Sequence, residues 1–166
     1  MNTIESVTLL STGGTFNKIY DPIAGELRVD PTARAVMQIA EAWRCRLKLV
    51  PIIGKDSLEM DAKDRERIAQ AIREEKNRKI LIVHGTDTID KSAAYLAERF
   101  KDRQILLTGA MIPWSIDPVE ATANLASALG WMLGNETSGT YIAMHGLILP
   151  HDQIVKERKQ GLFIRK

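Results

Sequence analysis

Three short polar stretches carry the groups that could do chemistry: Ser11-Thr12-Gly13-Gly14-Thr15, Asp56-Ser57 and His84-Gly85-Thr86-Asp87-Thr88. A threonine hydroxyl is a poor nucleophile at neutral pH and needs a neighbouring base or a lowered pKa. The Tyr20 phenol, the Asp87 carboxylate and a lysine from elsewhere in the chain are the available activators. Backbone N–H groups at Gly14, Thr15 and Thr86 can hold a developing oxyanion. Together these groups are the inventory for acyl transfer without a metal. The three histidines, His84, His145 and His151, lack ligand spacing, and a single cysteine, Cys45, rules out a cysteine-based zinc site. No cofactor is expected: there is no G-x-G-x-x-G. Ser11 to Thr15 could instead cradle a phosphate as in a flavodoxin-like mononucleotide binder. Aromatic residues, however, are only 5% of the chain, few for a flavin ring.

The elements around these stretches alternate. Ile80 to Val83 reads as a strand buried on both faces, followed by a helix with Asp90 as its N-cap and Ser92 to Ala97 in its body. Val7 to Leu10 reads as the first strand. Residues 16 to 29, with Asp21-Pro22 and Gly25, read as a loop or short hairpin carrying Tyr20. Asp30-Pro31 should open a helix with Pro31 at its first position and Ala33, Val36, Met37 and Ala40 on its apolar face. Leu47 to Val50, extended to Ile52-Ile53, is the next strand. Asp61 opens a helix to about Asn77, with Ile68 and Ile72 inside and solvated pairs Asp61/Arg65, Glu74/Arg78 and Glu75/Lys79 outside. Gln104 to Thr108 is a strand. Asp117-Pro118 starts a helix through Leu133, with Glu120 as its capping-box carboxylate and Gly134 as its stop. Thr140 to Met144 and Leu147 to Leu149 are strands, and Leu162 to Ile164 is an apolar patch in a basic tail. This alternation implies an α/β fold: a three-layer sandwich, mainly parallel, with helices on both faces (Rossmann/flavodoxin-like), and one domain over 1–166. In such a sheet the polar strand ends share one edge, where ligands bind.

The chain's 166 residues, 45% hydrophobic and 27% charged, suffice for one cored domain. A net charge of +2 gives no argument for nucleic acid or an anionic membrane. No basic leader or bilayer-length apolar run is seen, so a cytoplasmic location is expected.

Thr12-Gly13-Gly14-Thr15 with His84-Gly85-Thr86-Asp87-Thr88 resembles the bacterial-type L-asparaginase family, amidohydrolases that convert asparagine to aspartate and ammonia. Asp56-Ser57 and Leu107-Thr-Gly-Ala-Met111 support the likeness, which spans the chain as the family's amino-terminal domain. The resemblance implies Thr15 as nucleophile, Tyr20 as the loop tyrosine that activates it, and Thr86 and Asp87 as a second threonine and aspartate paired with a lysine. It places that lysine at Lys156, with Lys159 the fallback. Two roles are open for it: proton acceptor, or charged group orienting Asp87. The implied substrate-binding set is Gly14, Asp56, Ser57, which would hold the α-carboxylate, Asp87, which would hold the α-amino group, and the carbonyl of Ala110. A homodimer or higher oligomer is implied as well.

The sequence departs from the family in two places. Leu58 and Glu59 replace the usual polar residue and aspartate, and with a chain read to Lys166 the family's smaller second domain is expected to be absent. An asparaginase-like binding module with weak or no turnover, acting with a partner chain, is the alternative expectation. Leu162 to Ile164 could then meet that partner, or simply pack as a tail.

Overall fold

The computed structural model describes residues 2–166. In chain order the elements are β1 (Asn2–Gly13), β2 (Lys18–Asp21), β3 (Glu26–Val29), α1 (Arg34–Ala42), β4 (Cys45–Lys55), α2 (Ala62–Glu74), β5 (Lys79–Val83), α3 (Ile89–Arg99), β6 (Gln104–Thr108), α4 (Pro118–Gly134), β7 (Gly139–Met144), β8 (Leu147–Pro150), β9 (Ile154–Glu157) and β10 (Leu162–Arg165). Six strands form one sheet in the order β4-β1-β5-β6-β7-β8. All neighbours in it run parallel except β7 and β8. Two hairpins, β2–β3 and β9–β10, stand apart from it.

Period-two side-chain alternation builds the two outer layers. Ile80 and Ile82 of β5 face Ile68 and Ile72 of α2 and Ala93 and Leu96 of α3. Leu81 and Val83 face Val36 and Ile39 of α1 and Leu125, Ala128 and Met132 of α4. Burying one such aliphatic side chain stabilises the fold by roughly 1.5–3 kcal/mol, so β5, buried along its whole length, anchors both layers.

The helix faces give an unexpected hand. The crossovers through α2 and α3 both step rightwards in the strand order and share one face; α1 steps leftwards and lies on the other. These three have one hand. The β6–α4–β7 unit also steps rightwards, yet α4 lies on the α1 face, giving it the opposite hand. About 98% of such units are right-handed, so this one is an exception. It sends the segment after β6 across the sheet edge towards the turn after β1: Trp114 N–H donates to the Phe16 carbonyl and the Ser115 hydroxyl to the Lys18 carbonyl.

Several local expectations are corrected. Asp30-Pro31 forms a turn, not a helix start. The Asp30 carboxylate takes the N–H groups of Thr32 and Arg34, and α1 begins at Arg34 after Ala33 in the left-handed region (φ 56°). Asp61 caps α2 with a reciprocal capping box to Asp64, but α2 ends at Glu74. Glu75 and Lys79 are therefore not a helical pair, and both are buried. Glu75 takes Lys48 at 2.7 Å, while Lys79 donates to the Met132 carbonyl and Glu136. Thr88, not Asp90, occupies the N-cap of α3. Asp117 does cap α4, but Gly134 is inside that helix and Asn135 follows it. Glu120 serves elsewhere, as described below. Within Leu162 to Ile164, a strand of the β9–β10 hairpin, Phe163 is buried in the core while Ile164 is 39% exposed.

Candidate active site

The site forms where β1, β4 and β5 end, at the point where α1 and α3 leave for opposite faces, the crevice that favours ligands in open α/β sheets. Gly14 has φ 76°, and a Cβ there would lie 2.5 Å from the Gly85 backbone. Only glycine permits that approach. A Cβ on Gly85 would in turn lie 2.6 Å from the Ser57 side chain. The turns after β1, β4 and β5 are thus packed against one another. Hydroxyls fix them: Thr12 donates to the Val83 carbonyl at 2.9 Å, and Thr88 to the Ser57 carbonyl at 2.9 Å.

His84 fixes the turn after β5 from below. Its Nδ1 lies 2.7 Å from the Gly85 carbonyl, which can only accept, so Nδ1 carries the proton. Its Nε2 then accepts from the Ser92 hydroxyl at 2.8 Å, which itself takes the Arg65 Nε–H. Complete burial holds the imidazole pKa down at about 4, so the ring is neutral at ordinary pH.

The β9–β10 hairpin delivers the cation. Ile154 and Phe163 root it in the core. From there Lys156 Nζ donates to Thr86 Oγ1 at 2.9 Å and to Asp87 Oδ1 at 2.8 Å. The Thr86 hydroxyl in turn points its proton at Met111 Sδ, 3.4 Å away. Arg158 adds two bonds, from its guanidinium to Asp87 Oδ1 at 2.9 Å and to the Asp87 carbonyl at 2.8 Å. The Lys156 hydrogen bond, reinforced by the charges of Lys156 and Arg158, holds the Asp87 carboxyl below the usual range against a partial desolvation penalty. Beside this cluster lies a small cavity of about 130 Å³, lined by Thr86, Asp87, Lys156, Arg158, Ile154 and Phe163.

The other expected residues fall as follows. Thr15 is half-buried and opens the short 3-10 turn Thr15–Asn17, directly after Gly14. Ser57 is 1% exposed and its hydroxyl has no hydrogen-bond partner among the described residues. Ala110 is buried immediately beyond β6. Asp56 accepts from Lys18 at 2.7 Å and from the Leu58 N–H. Burial pushes its carboxyl up, but those two bonds outweigh it and leave the pKa lowered. Tyr20 is 62% exposed on the β2–β3 hairpin and stands outside the hydrogen-bonded cluster. Lys156, not Lys159, reaches Asp87; Lys159 lies exposed in the β9–β10 turn.

Sequence reasoning missed Arg158, Met111 and the Lys18 partner of Asp56. For Arg158 a signal existed: it is a second cation two residues beyond Lys156, in the turn that follows β9.

This architecture and cluster define a class first: an α/β domain whose parallel-strand ends hold two threonines and a carboxylate, met by a lysine from the β9–β10 hairpin, the equipment of an amidohydrolase. The asparaginase amino-terminal domain profile matches residues 6–162, and the chain belongs to the asparaginase family. It is 26% identical over 166 residues to the probable periplasmic L-asparaginase of Haemophilus influenzae, covering 92% of this chain and 46% of that protein. It is 31% identical over 172 residues to a glutamyl-tRNA(Gln) amidotransferase subunit from Methanococcus vannielii, covering 98% of this chain and 39% of that protein. Among solved structures it superposes on the thermostable L-asparaginase of Thermococcus kodakarensis with a TM-score of 0.82 at 26% identity, covering 96% of this chain and 50% of that one. The probable cytoplasmic L-asparaginase of Campylobacter jejuni gives 0.78 at 26%, covering 96% and 53%. The chain thus spans less than half the length of these two sequence relatives. Among the described residues no helix is long and apolar enough to cross a membrane.

Proposed function

We propose that this domain hydrolyses L-asparagine to L-aspartate and ammonia through an acyl-enzyme on Thr15. The observation that carries the reading is the Thr86–Lys156–Asp87 cluster, set in a turn that packs against the Gly14-Thr15 turn. Thr15 Oγ attacks the side-chain amide carbon, the C–N bond breaks, and ammonia leaves with a proton. Water then cleaves the ester and restores the hydroxyl. Lys156, bonded to both Thr86 and Asp87, orients the pair and stabilises charge that develops on the threonine oxygen. The buried, unpaired Ser57 hydroxyl is the kind of group a ligand satisfies, and we assign it the substrate carboxylate. Gly14, Asp56 and the Ala110 carbonyl complete the contacts, and the free Asp87 oxygen takes the α-amino group. Tyr20 acts when the β2–β3 hairpin brings its exposed ring over Thr15. We place the protein in the cytoplasm as a homo-oligomer; its one cysteine, buried and free, suits a reducing compartment.

A second reading has its own support, the 31% identity to one component of an amidotransferase. In it this is an asparaginase-like module with little turnover alone, working beside a partner chain. Ammonia release from asparagine and glutamine, run alongside calorimetry with asparagine and aspartate, separates the two. The leading reading expects ammonia from asparagine and its loss in Thr15→Val. Binding without ammonia supports the second. Neither binding nor ammonia defeats both.

A further inference from the structure

Lys156 and Met111, the two neighbours of the Thr86 hydroxyl, come from distant parts of the chain: the β9–β10 hairpin and the segment after β6. Something must hold these in register. A continuous set of hydrogen bonds between them runs through one side-chain pair, His145 and Glu120.

His145 sits in the two-residue turn between β7 and β8, with φ 52°, followed by Gly146 with φ 81°. Two successive left-handed residues make this a type I′ turn, which asparagine and glycine favour. Histidine, like asparagine, is among the non-glycine residues that tolerate the left-handed region, but its ring reaches farther than an asparagine side chain. The ring does have partners on both sides. The Phe163 N–H of β10 donates to His145 Nδ1 at 3.2 Å, which leaves the proton on Nε2. That Nε2 donates to Glu120 Oε1 at 2.9 Å. Glu120 also accepts the Met111 N–H on Oε1 at 2.9 Å and the Ile112 N–H on Oε2 at 3.0 Å. A parallel strut supports it: the His145 N–H donates to Asn124 Oδ1, and Asn124 Nδ2 donates to the Gly109 carbonyl. The Phe163 ring meets the imidazole edge-on, with centroids 5.9 Å apart. Both side chains are largely shielded, 24% and 18% exposed, where such bonds are less diluted by water.

We propose that His145 and Glu120 are positioning residues: one brace that aligns the Ala110-Met111 segment and the Lys156 hairpin on either side of Thr86. This rests on the amidohydrolase reading for its catalytic consequence but not for its structural one. Neither residue touches the reacting groups. Glu120, expected from sequence to cap its own helix, is thereby diverted to the site's edge.

The experiment compares the full chain with His145→Asn, which suits the left-handed turn but is too short to bridge, with Glu120→Gln, and with the double variant. Amide hydrogen exchange at Met111 and Ile112 is read by NMR beside ammonia release. Exchange at both amides should quicken about tenfold or more in each single variant, the loss of one charge-assisted bond. The kcat should fall about tenfold with KM changed much less, because misalignment of a group beside the reacting atoms acts on the chemical step. The double variant should be no worse than either single one, since both break one connection. Unchanged exchange at Met111 and Ile112, or single effects that multiply in the double variant, overturns the brace. Quickened exchange with wild-type kcat overturns its catalytic role. Should the wild-type chain release no ammonia, the hydrolase reading fails while exchange still decides the brace.

Discussion

His84 offers a quantitative test of how the site is supported. Its ring is fully buried beneath the Gly85-Thr86-Asp87 turn, and its pKa is lowered from 6.5 to about 4. The unfolded chain therefore takes up a proton below about pH 6.5 that the folded chain refuses until near pH 4. A depressed folded pKa gives stability that is complete above the unfolded value and lost as pH falls towards the folded one. At 1.36 kcal/mol per pKa unit the full loss is about 3 kcal/mol, of which roughly 1.4 kcal/mol should be gone by about pH 5.5. The carboxylates held low, among them Asp56, Asp64, Glu75 and Asp87, weaken the fold only lower, through the ordinary carboxylate range and below. The upper part of the window therefore isolates imidazole. Urea unfolding across this range, in wild type and in His84→Gln, measures the effect. The glutamine amide still offers an acceptor to Ser92, and its stability should be flatter with pH by that amount. Equal pH slopes in the two proteins would refute the neutral buried imidazole and, with it, the hydrogen-bond assignment that fixes the turn.

Other perturbations read different contacts. Gly85→Ala puts a methyl 2.6 Å from the Ser57 side chain and should cost about 1–3 kcal/mol in urea unfolding; wild-type stability would mean the turns are not in contact. Glu75→Gln should cost about 1–3 kcal/mol, because the buried carboxylate holds Lys48 and the N–H groups of Lys76 and Asn77. Chemical denaturation gives that value directly, and no change would make the pair ornamental. Arg158→Gln removes an exposed second cation from Asp87, worth about 0.2–1 kcal/mol at most. It should therefore shift kcat/KM by less than about fivefold, a gap that narrows as salt rises. A hundredfold loss would show Arg158 to be part of the chemistry.

Much of this architecture is written in local pattern. Ile80 to Val83 could only be a central strand, and the paired threonine turns marked the edge where ligands bind. What escaped was set by distant contacts. The hand of β6–α4–β7 goes with α3 covering β7 on the opposite face, a distant contact that no local periodicity encodes. Asp30-Pro31 looks like a helix start, but Pro31 packs against Gly54 and the Asp30 carboxylate is consumed by its own turn. Glu75 and Lys79 had helical spacing, yet the chain leaves the helix between them and each found a partner elsewhere in the chain. Glu120 read as a helix cap and His145 only as a histidine without ligand spacing, and their bond spans 25 positions. In the site the two motif stretches were legible, and the resemblance already preferred Lys156 to Lys159; the hairpin rooted by Phe163 brings Lys156 to Asp87.

The most direct test of the hydrolase account is the rate of ammonia release from asparagine by the full chain, its Lys156→Met variant and its Thr15→Val variant. A lysine that bridges Thr86 and Asp87 predicts a drop of at least about a hundredfold in Lys156→Met, with near-complete loss in Thr15→Val. Wild-type rates in either variant would contradict the assignment of the chemistry to these two turns.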